Sequence, residues 1–213
     1  MSKSPSVKYR GIFLNDEAPA LTNWVETNFP PGQYGPGFNH NFYELVFELL
    51  LRLRANYLWP AEWNSMFYVD DVLDGPTANN WGVVIGTSHT EPLARATKEQ
   101  SLFLNGIWAW ASNEQNVTDF MAEGVARAKN WETLWTMGMR GLGDTASPTL
   151  TAAQLQDIIQ VEQKLLEQGL NVTAQGLESV PQMWCIYKEV GGYYEQGLSV
   201  PDDITLLWAD DNW

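Results

Sequence analysis

The chain has one cysteine, two histidines and only 12 lysines and arginines against 26 aspartates and glutamates in 213 residues. Each scarcity closes a route. The single thiol, Cys185, permits no disulfide within the chain. It sits in the apolar run 183–187, so it reads as a buried, inert thiol rather than a nucleophile. His40 and His89 are too few for a His-rich zinc site. A net charge of −14 offers no basic stripe to phosphates or to anionic lipid headgroups, so neither nucleic acid nor a membrane surface is an expected partner. No apolar run is long enough to span a bilayer. The first residues, Met-Ser-Lys-Ser-Pro-Ser, lack the apolar core of a signal peptide. Neither a dinucleotide-binding G-x-G-x-x-G nor a phosphate-binding G-x-x-x-x-G-K follows the first apolar stretch, so a nucleotide fold lacks its signature.

What is abundant is tryptophan, eleven in all. Most of these rings read as core, although flat apolar faces with a polar edge also suit sugar rings. The sequons at Asn116 and Asn171 are compatible with secretion and carry little weight. Residues 1–6 read as a disordered lead-in. Short apolar runs at 8–14, 56–59, 81–87, 134–139, 182–187 and 204–208 read as strands. They are apolar throughout rather than alternating, as parallel strands covered on both faces are. Helical periodicity fills the intervals. One helix begins at Asn39 or Asn41, with Phe42, Leu45, Val46, Leu49 and Leu53 on one face. Others are expected at 93–104 and 113–130, and a short one at 193–196. A further helix over 151–168 carries Leu155, Ile158, Ile159, Leu165 and Leu166 and should stop at Gly169. A Pro/Gly-rich loop covers 30–37. Asp70, Asp71 and Asp74 follow the second strand without a recognised cation-loop spacing, so they read as solvated turn residues rather than a cation site.

Alternation of strand and helix means a parallel α/β fold, either open and doubly wound or closed into a barrel. Polar residues follow nearly every strand: Asp16 and Glu17, Glu62, His89 and Glu91, Arg140 and Asp144, Lys188 and Glu189, and Asp210 to Asn212. Their recurrence favours the barrel, whose mouth draws on all its strand ends. The clearest instance is 134–144, a buried strand leading into a loop with Gly138, Gly141 and Gly143 around Arg140 and Asp144. Eight strands close such a barrel, and about six β/α units are present. The expected fold is therefore α/β, an incomplete (β/α)8 TIM-type barrel over residues 7–213 that leaves two strand edges unpaired and apolar surface uncovered. Several carboxylates beside one Arg, one Lys and one His suit acid–base work on a sugar, one carboxyl donating a proton while the other activates water. Arg140, Lys188 and His89 suit an anionic substituent on that sugar.

Six segments then carry a resemblance: Tyr-Arg-Gly-Ile-Phe-Leu-Asn-Asp-Glu (9–17), Leu-Arg-Ala-Asn-Tyr-Leu-Trp-Pro-Ala (53–61), Gly-Thr-Ser-His (86–89), Gly-Met-Arg-Gly (138–141), Tyr-Lys-Glu-Val (187–190) and residues 200–213. In order and over nearly the whole chain, they resemble the catalytic barrel of glycoside hydrolase family 115, the xylan α-1,2-glucuronidases. The resemblance implies an inverting enzyme that removes glucuronic acid or its 4-O-methyl ether from xylan, with no metal and no cofactor. It places the important residues at Asp16, His89, Arg140, Asp144, Glu189 and Asn212. Glu189 and Asp144 would form the acid/base pair, in either assignment. Arg140 and His89 would hold the uronate carboxylate or neighbouring hydroxyls, Asp16 and Asn212 would orient sugar or water, and Lys188 and Trp59 would add substrate contacts. Two positions depart from many relatives: Thr90 stands where a second His is common, and Leu142 where an acid is, so Asp144 carries alone what two acids share elsewhere. The implied partner is glucuronoxylan or its oligosaccharides. A homodimer of the longer protein and an extracellular location, inferred from the polymeric substrate, complete the expectation. The competing readings are a catalytically silent sugar-binding or scaffold barrel and, more weakly because His is scarce, a metal-dependent barrel hydrolase.

Overall fold

The computed structural model describes residues 4–209, which divide after Gly86 into two units. The first is built on a parallel three-stranded sheet of order β1-β2-β3. Strand β1 (Gly11–Phe13) pairs with β2 (Tyr57–Trp59), Ile12 opposite Leu58, and β2 pairs with β3 (Val84–Ile85). Between the strands lie helices α1 (Leu21–Asn28), α2 (His40–Arg52), α3 (Phe67–Asp70) and α4 (Asp74–Trp81). Of these only α2 is plain in the sequence. Asn39 caps it, its side chain accepting from the Phe42 amide at 3.2 Å, which satisfies one of the donors a helix leaves open at its start.

The expected buried face of α2 needs correcting. Phe42, Tyr43, Val46, Phe47 and Leu50 are buried, whereas Leu45, Leu49 and Leu53 are 52, 51 and 68% exposed. The helix is apolar on two sides, and the aromatic side wins. Phe42 packs edge-on against Phe38 (5.1 Å between centroids) and Tyr43 against Phe67 (4.8 Å). Large rings bury more area than leucines and add oriented ring contacts.

The aspartate trio is also not a set of solvated turn residues. Asp71 accepts from the His40 amide (3.1 Å) and pairs with its Nδ1 (2.5 Å), and Asp70 caps the Met66 amide at 2.7 Å. Asp74, the first residue of α4, is fully buried. Burial, with Asp71 and Asp70 adding like charge, pushes its carboxyl up to about 10, so it is a neutral acid at physiological pH.

The second unit holds another parallel sheet, order β4-β5-β6. Strand β4 (Trp135–Met137) pairs with β5 (Gln182–Ile186), and β5 with β6 (Ile204–Trp208) along its full length. The single helix expected at 93–104 is two pieces, a 3₁₀ turn at Pro92–Ala94, in which Leu93 and Ala94 take positive φ, and α5 (Thr97–Leu102), separated by the extended Arg95 and Ala96. Then come α6 (Trp110–Ala128), α7 (Ala152–Leu170), α8 (Ala174–Leu177) and α9 (Glu189–Glu195). The last begins four residues before the short helix expected at 193–196. Helix α7 opens with a capping box, Thr151 Oγ1 accepting from the Gln154 amide while Gln154 Oε1 accepts from the Thr151 amide. It runs past Gly169 and ends at Asn171, which takes the left-handed conformation (φ 56°). Gly169 has a different task, because a β-carbon there would run into Val125 of α6.

Strands β2 to β5 are buried throughout, as continuous apolar runs imply. β1 and β6 are not: Ile12, Phe13 and Trp208 are exposed. Like the buried β3 and β4, these are outer members of their three-stranded sheets. The architecture is mixed α/β with two parallel three-stranded sheets. Among the described residues no helix is long and apolar enough to cross a membrane.

Candidate active site

Parallel pairing of β4 with β5 brings the ends of these two strands side by side, Met137 opposite Trp184. The chain then has to leave the sheet abruptly. Gly138 makes the turn with φ +93°, and a β-carbon there would run into the Trp184 indole, so both conformation and space demand glycine. Its amide donates to Glu162 Oε2 of α7 at 2.7 Å. Two residues on, the Arg140 carbonyl accepts from Trp108 Nε1 at 2.9 Å, and the Gly141 amide donates to the Thr145 carbonyl at 2.9 Å. The loop is thus tied down on both sides of Arg140.

Arg140 is 3% exposed, and its guanidinium is held by two acids. Nε and Nη2 donate to Glu189 Oε1 and Oε2 at 2.9 and 2.7 Å, a two-pronged contact matched to the planar fork of arginine. Nη1 donates to the Asp144 side chain and, at 3.3 Å, to its backbone carbonyl. Lys188 Nζ approaches Asp144 Oδ2 at 3.7 Å and is 39% exposed. Asp144 (φ 58°) and Lys188 (φ 49°) both have the positive φ that non-glycine residues avoid, a strain of the kind that gathers where side chains must be aimed.

The loop after β3 supplies His89, whose Nε2 lies 2.9 Å from Asp144 Oδ1. That loop is also fastened. Thr136 Oγ1 accepts from the Thr87 amide and donates to the Thr87 carbonyl. Glu91, one of the strand-end acids, is buried and turned back on its own loop, accepting from the Ser88 amide (3.0 Å) and from Thr97 Oγ1 (3.2 Å). Tyr187 completes the cluster, its ring edge-on to His89 at 4.9 Å and near Arg140 and Lys188 at 5.3 and 4.8 Å.

Electrostatics sort these groups. Burial, with Arg140 and Lys188 nearby, pushes the His89 imidazole down to about 4, Glu189 opposing. His89 is therefore neutral above pH 5, and Nε2–H donates to Asp144. Burial alone would raise the Glu189 carboxyl, but hydrogen bonds from Arg140 and from its own amide, with the charges of Arg140 and Lys188, hold it below its ordinary value. Burial raises the Cys185 thiol to about 11, in keeping with an inert sulfur. Among the described residues no three His, Cys, Asp or Glu side chains are grouped to hold a metal ion.

Five of the site residues expected from sequence, His89, Arg140, Asp144, Lys188 and Glu189, thus meet in one cluster of the second unit. Asp16 and Trp59 belong to the first. Asp16 is buried, its Oδ2 accepting from the Asn64 amide (2.7 Å) and Ser65 Oγ (3.0 Å). Trp59 is buried against Phe13, and its Nε1 donates to the Tyr57 hydroxyl at 2.5 Å. Asn212, with Asp210 and Asp211, lies outside the described residues. Sequence reasoning missed Tyr187, Trp108 and Glu162. Only Glu162 left a signal, a carboxylate on the core face of α7.

The strand ends of this parallel α/β chain thus gather two carboxylates, an arginine and a neutral histidine, groups able to exchange protons and to hold an anion. The chain belongs to glycosyl hydrolase family 115, whose model matches residues 2–213. Among solved structures it is similar to a family GH115 4-O-methyl-α-glucuronidase, BtGH115A, described as having specificity for decorated arabinogalactans. The TM-score is 0.89 and the identity 36% over 98% of this chain. The match covers 28% of that protein, so this chain spans little more than a quarter of its length. No curated protein matches the chain.

Proposed function

We propose that this chain carries the catalytic cluster of an α-glucuronidase, on an incomplete (β/α)8 barrel, that releases α-1,2-linked glucuronic acid or its 4-O-methyl ether from xylan with inversion. The observation that carries the reading is the guanidinium of Arg140 held between Asp144 and Glu189. It puts two carboxylates of separate strand ends around one point, beside a neutral imidazole that can donate to a sugar oxygen. Glu189 and Asp144 form the acid/base pair. Inversion needs about 6.5–9.5 Å between them to admit the attacking water. Glu189 stands ionised in the free site. The base role needs nothing more. The acid role needs a proton, which Glu189 takes up when the uronate carboxylate competes for the fork of Arg140. Lys188 and His89 complete the anion pocket, while Asp16, Trp59 and Asn212 contribute to sugar and water placement. Family membership and the neighbour's activity support the reaction class. In this reading the longer protein is extracellular and dimeric.

The test is an NMR time course with glucuronoxylan, watching for free uronic acid. Release as the β-anomer supports reaction and inversion together; the α-anomer refutes inversion. Glu189→Gln should abolish turnover and spare binding. An activated aryl glucuronide restoring its rate assigns Glu189 as the acid, and added azide restoring it assigns the base. The neighbour's described specificity favours a second polymer, so a uronate-decorated arabinogalactan belongs in a parallel tube. Binding without release by the unaltered chain would instead favour the silent sugar-binding reading.

A further inference from the structure

Helix α7 turns one face to the core: Leu155, Ile158, Ile159, Glu162 and Leu166, all buried. Spacing calls for an apolar residue at the fourth of these, and a glutamate stands there with no accessible surface. Burying a carboxyl without a cation is costly unless it is neutral and has work to do. Among the described residues Glu162 is in no ion pair. Burial drives its carboxyl well above the ordinary range, with only the Gly138 amide pulling the other way, so it is a protonated, neutral acceptor. Its Oε2 accepts the Gly138 N–H at 2.7 Å, while Oε1 has no hydrogen-bond partner among the described residues.

The amide it holds is no ordinary one. Gly138 is the first residue beyond β4, at the positive-φ turn that sends the chain out of the sheet towards Arg140. Its N–H is buried, and without Glu162 it would lose its acceptor. We propose that Glu162 is a positioning residue of the active site: by holding the Gly138 amide it sets the turn that aims Arg140 between Asp144 and Glu189. Its consequence for turnover rests on the proposed function, but the clamp itself stands on geometry alone.

The test compares Glu162→Gln with Glu162→Met in the full chain, using three readouts. Glutamine keeps a neutral oxygen acceptor of the same reach; methionine keeps the volume and loses the acceptor. The first readout is hydrogen exchange of the Arg140 Nε–H by ¹⁵N NMR, which needs no activity. The second is kcat and KM for uronate release. E162M should speed the exchange and lower kcat by about tenfold or more, the size expected when a buried amide loses its acceptor. It should also raise the His89 titration midpoint, because Arg140 no longer sits squarely beside the ring. E162Q should match the parent in all three. An E162M variant with unchanged exchange, or an E162Q as damaging as E162M, overturns the clamp. Should E162M fail to fold, Glu162→Asp retains the acid but shortens its reach by one methylene. It should mobilise Arg140 in the same way, and unchanged exchange in E162D overturns the proposal. Absence of turnover in the parent would remove the glucuronidase reading and leave the exchange comparison to decide this one.

Discussion

Replacing Arg140 by methionine removes a cation and leaves its two acids facing each other. Arg140 is 3% exposed, and the side chains of Glu189 and Asp144 are 20 and 29% exposed. Breaking a fully buried pair by deleting one partner costs about 3–5 kcal/mol. Partial access of water to both acids lowers that to about 3 kcal/mol, or roughly 6–12 °C in Tm for a chain of this length. The loss should depend on pH, with a defined sign. Glu189 is held below its ordinary value, so its contribution is complete above the unfolded-state carboxylate range and is lost as pH falls through the folded value. The gap between parent and variant should therefore be widest at neutral pH and close only as pH falls below the ordinary carboxylate range, through the lowered folded value of Glu189. With the cation gone the two carboxylates repel, so the second of them holds its proton to a higher pH. The acid limb of the pH–rate profile should therefore move up. Arg140→Lys should fall between, since a point charge cannot reproduce the two-pronged contact. Thermal unfolding from pH 3 to 8 measures the stability effect. A variant as stable as the parent at pH 7, or a gap indifferent to pH, would refute the reasoning.

Asp74→Asn should stabilise the protein. Folding holds the proton on Asp74 up to about pH 10, so stability falls by about 1.4 kcal/mol for each pH unit above 4. Asparagine removes that dependence, with a gain of up to about 4 kcal/mol at pH 7 that vanishes near pH 4. A difference in denaturant midpoint that ignores pH would be the contrary result. The His89 C2–H resonance should titrate near pH 4, and stability from this group should rise between about pH 4 and 6.5, because the fold disfavours the imidazolium. A midpoint near 6.5 would mean that neither burial nor the charges of Arg140 and Lys188 act on the ring as described. Lys188→Gly should relieve backbone strain, raising stability by about 1 kcal/mol or more, while weakening inhibition by free glucuronate. Loss of both would show that the side chain, not the turn, holds the loop.

Much of the site was legible because the parallel α/β pattern dictates where polar residues go. Arg140, Asp144, Lys188 and Glu189 each sit just past an apolar run, and a parallel pair delivers such residues to one edge. Helix α7 was legible for a related reason, a clean period of apolar residues begun by Thr151 and Gln154. Helix α2 misled because its periodicity allowed two faces, and only the aromatic neighbours Phe38 and Phe67 could choose between them. The aspartates near residue 70 misled because acidity predicts solvent, whereas their fates were set by a helix start, a histidine and burial.

Local sequence thus determined which segments form strands, the glycine turn after β4 and the charged residues that follow it, since these depend on neighbours within a few positions. The tertiary structure alone decided which charges meet. Arg140 and Glu189 are 49 residues apart, His89 and Asp144 55 apart, and no periodicity reaches that far. It also decided their state. The same fold that buries His89 beside two cations makes it neutral, and the same burial makes Glu162 a neutral acceptor rather than a charge, because ionisation follows surroundings that only packing creates.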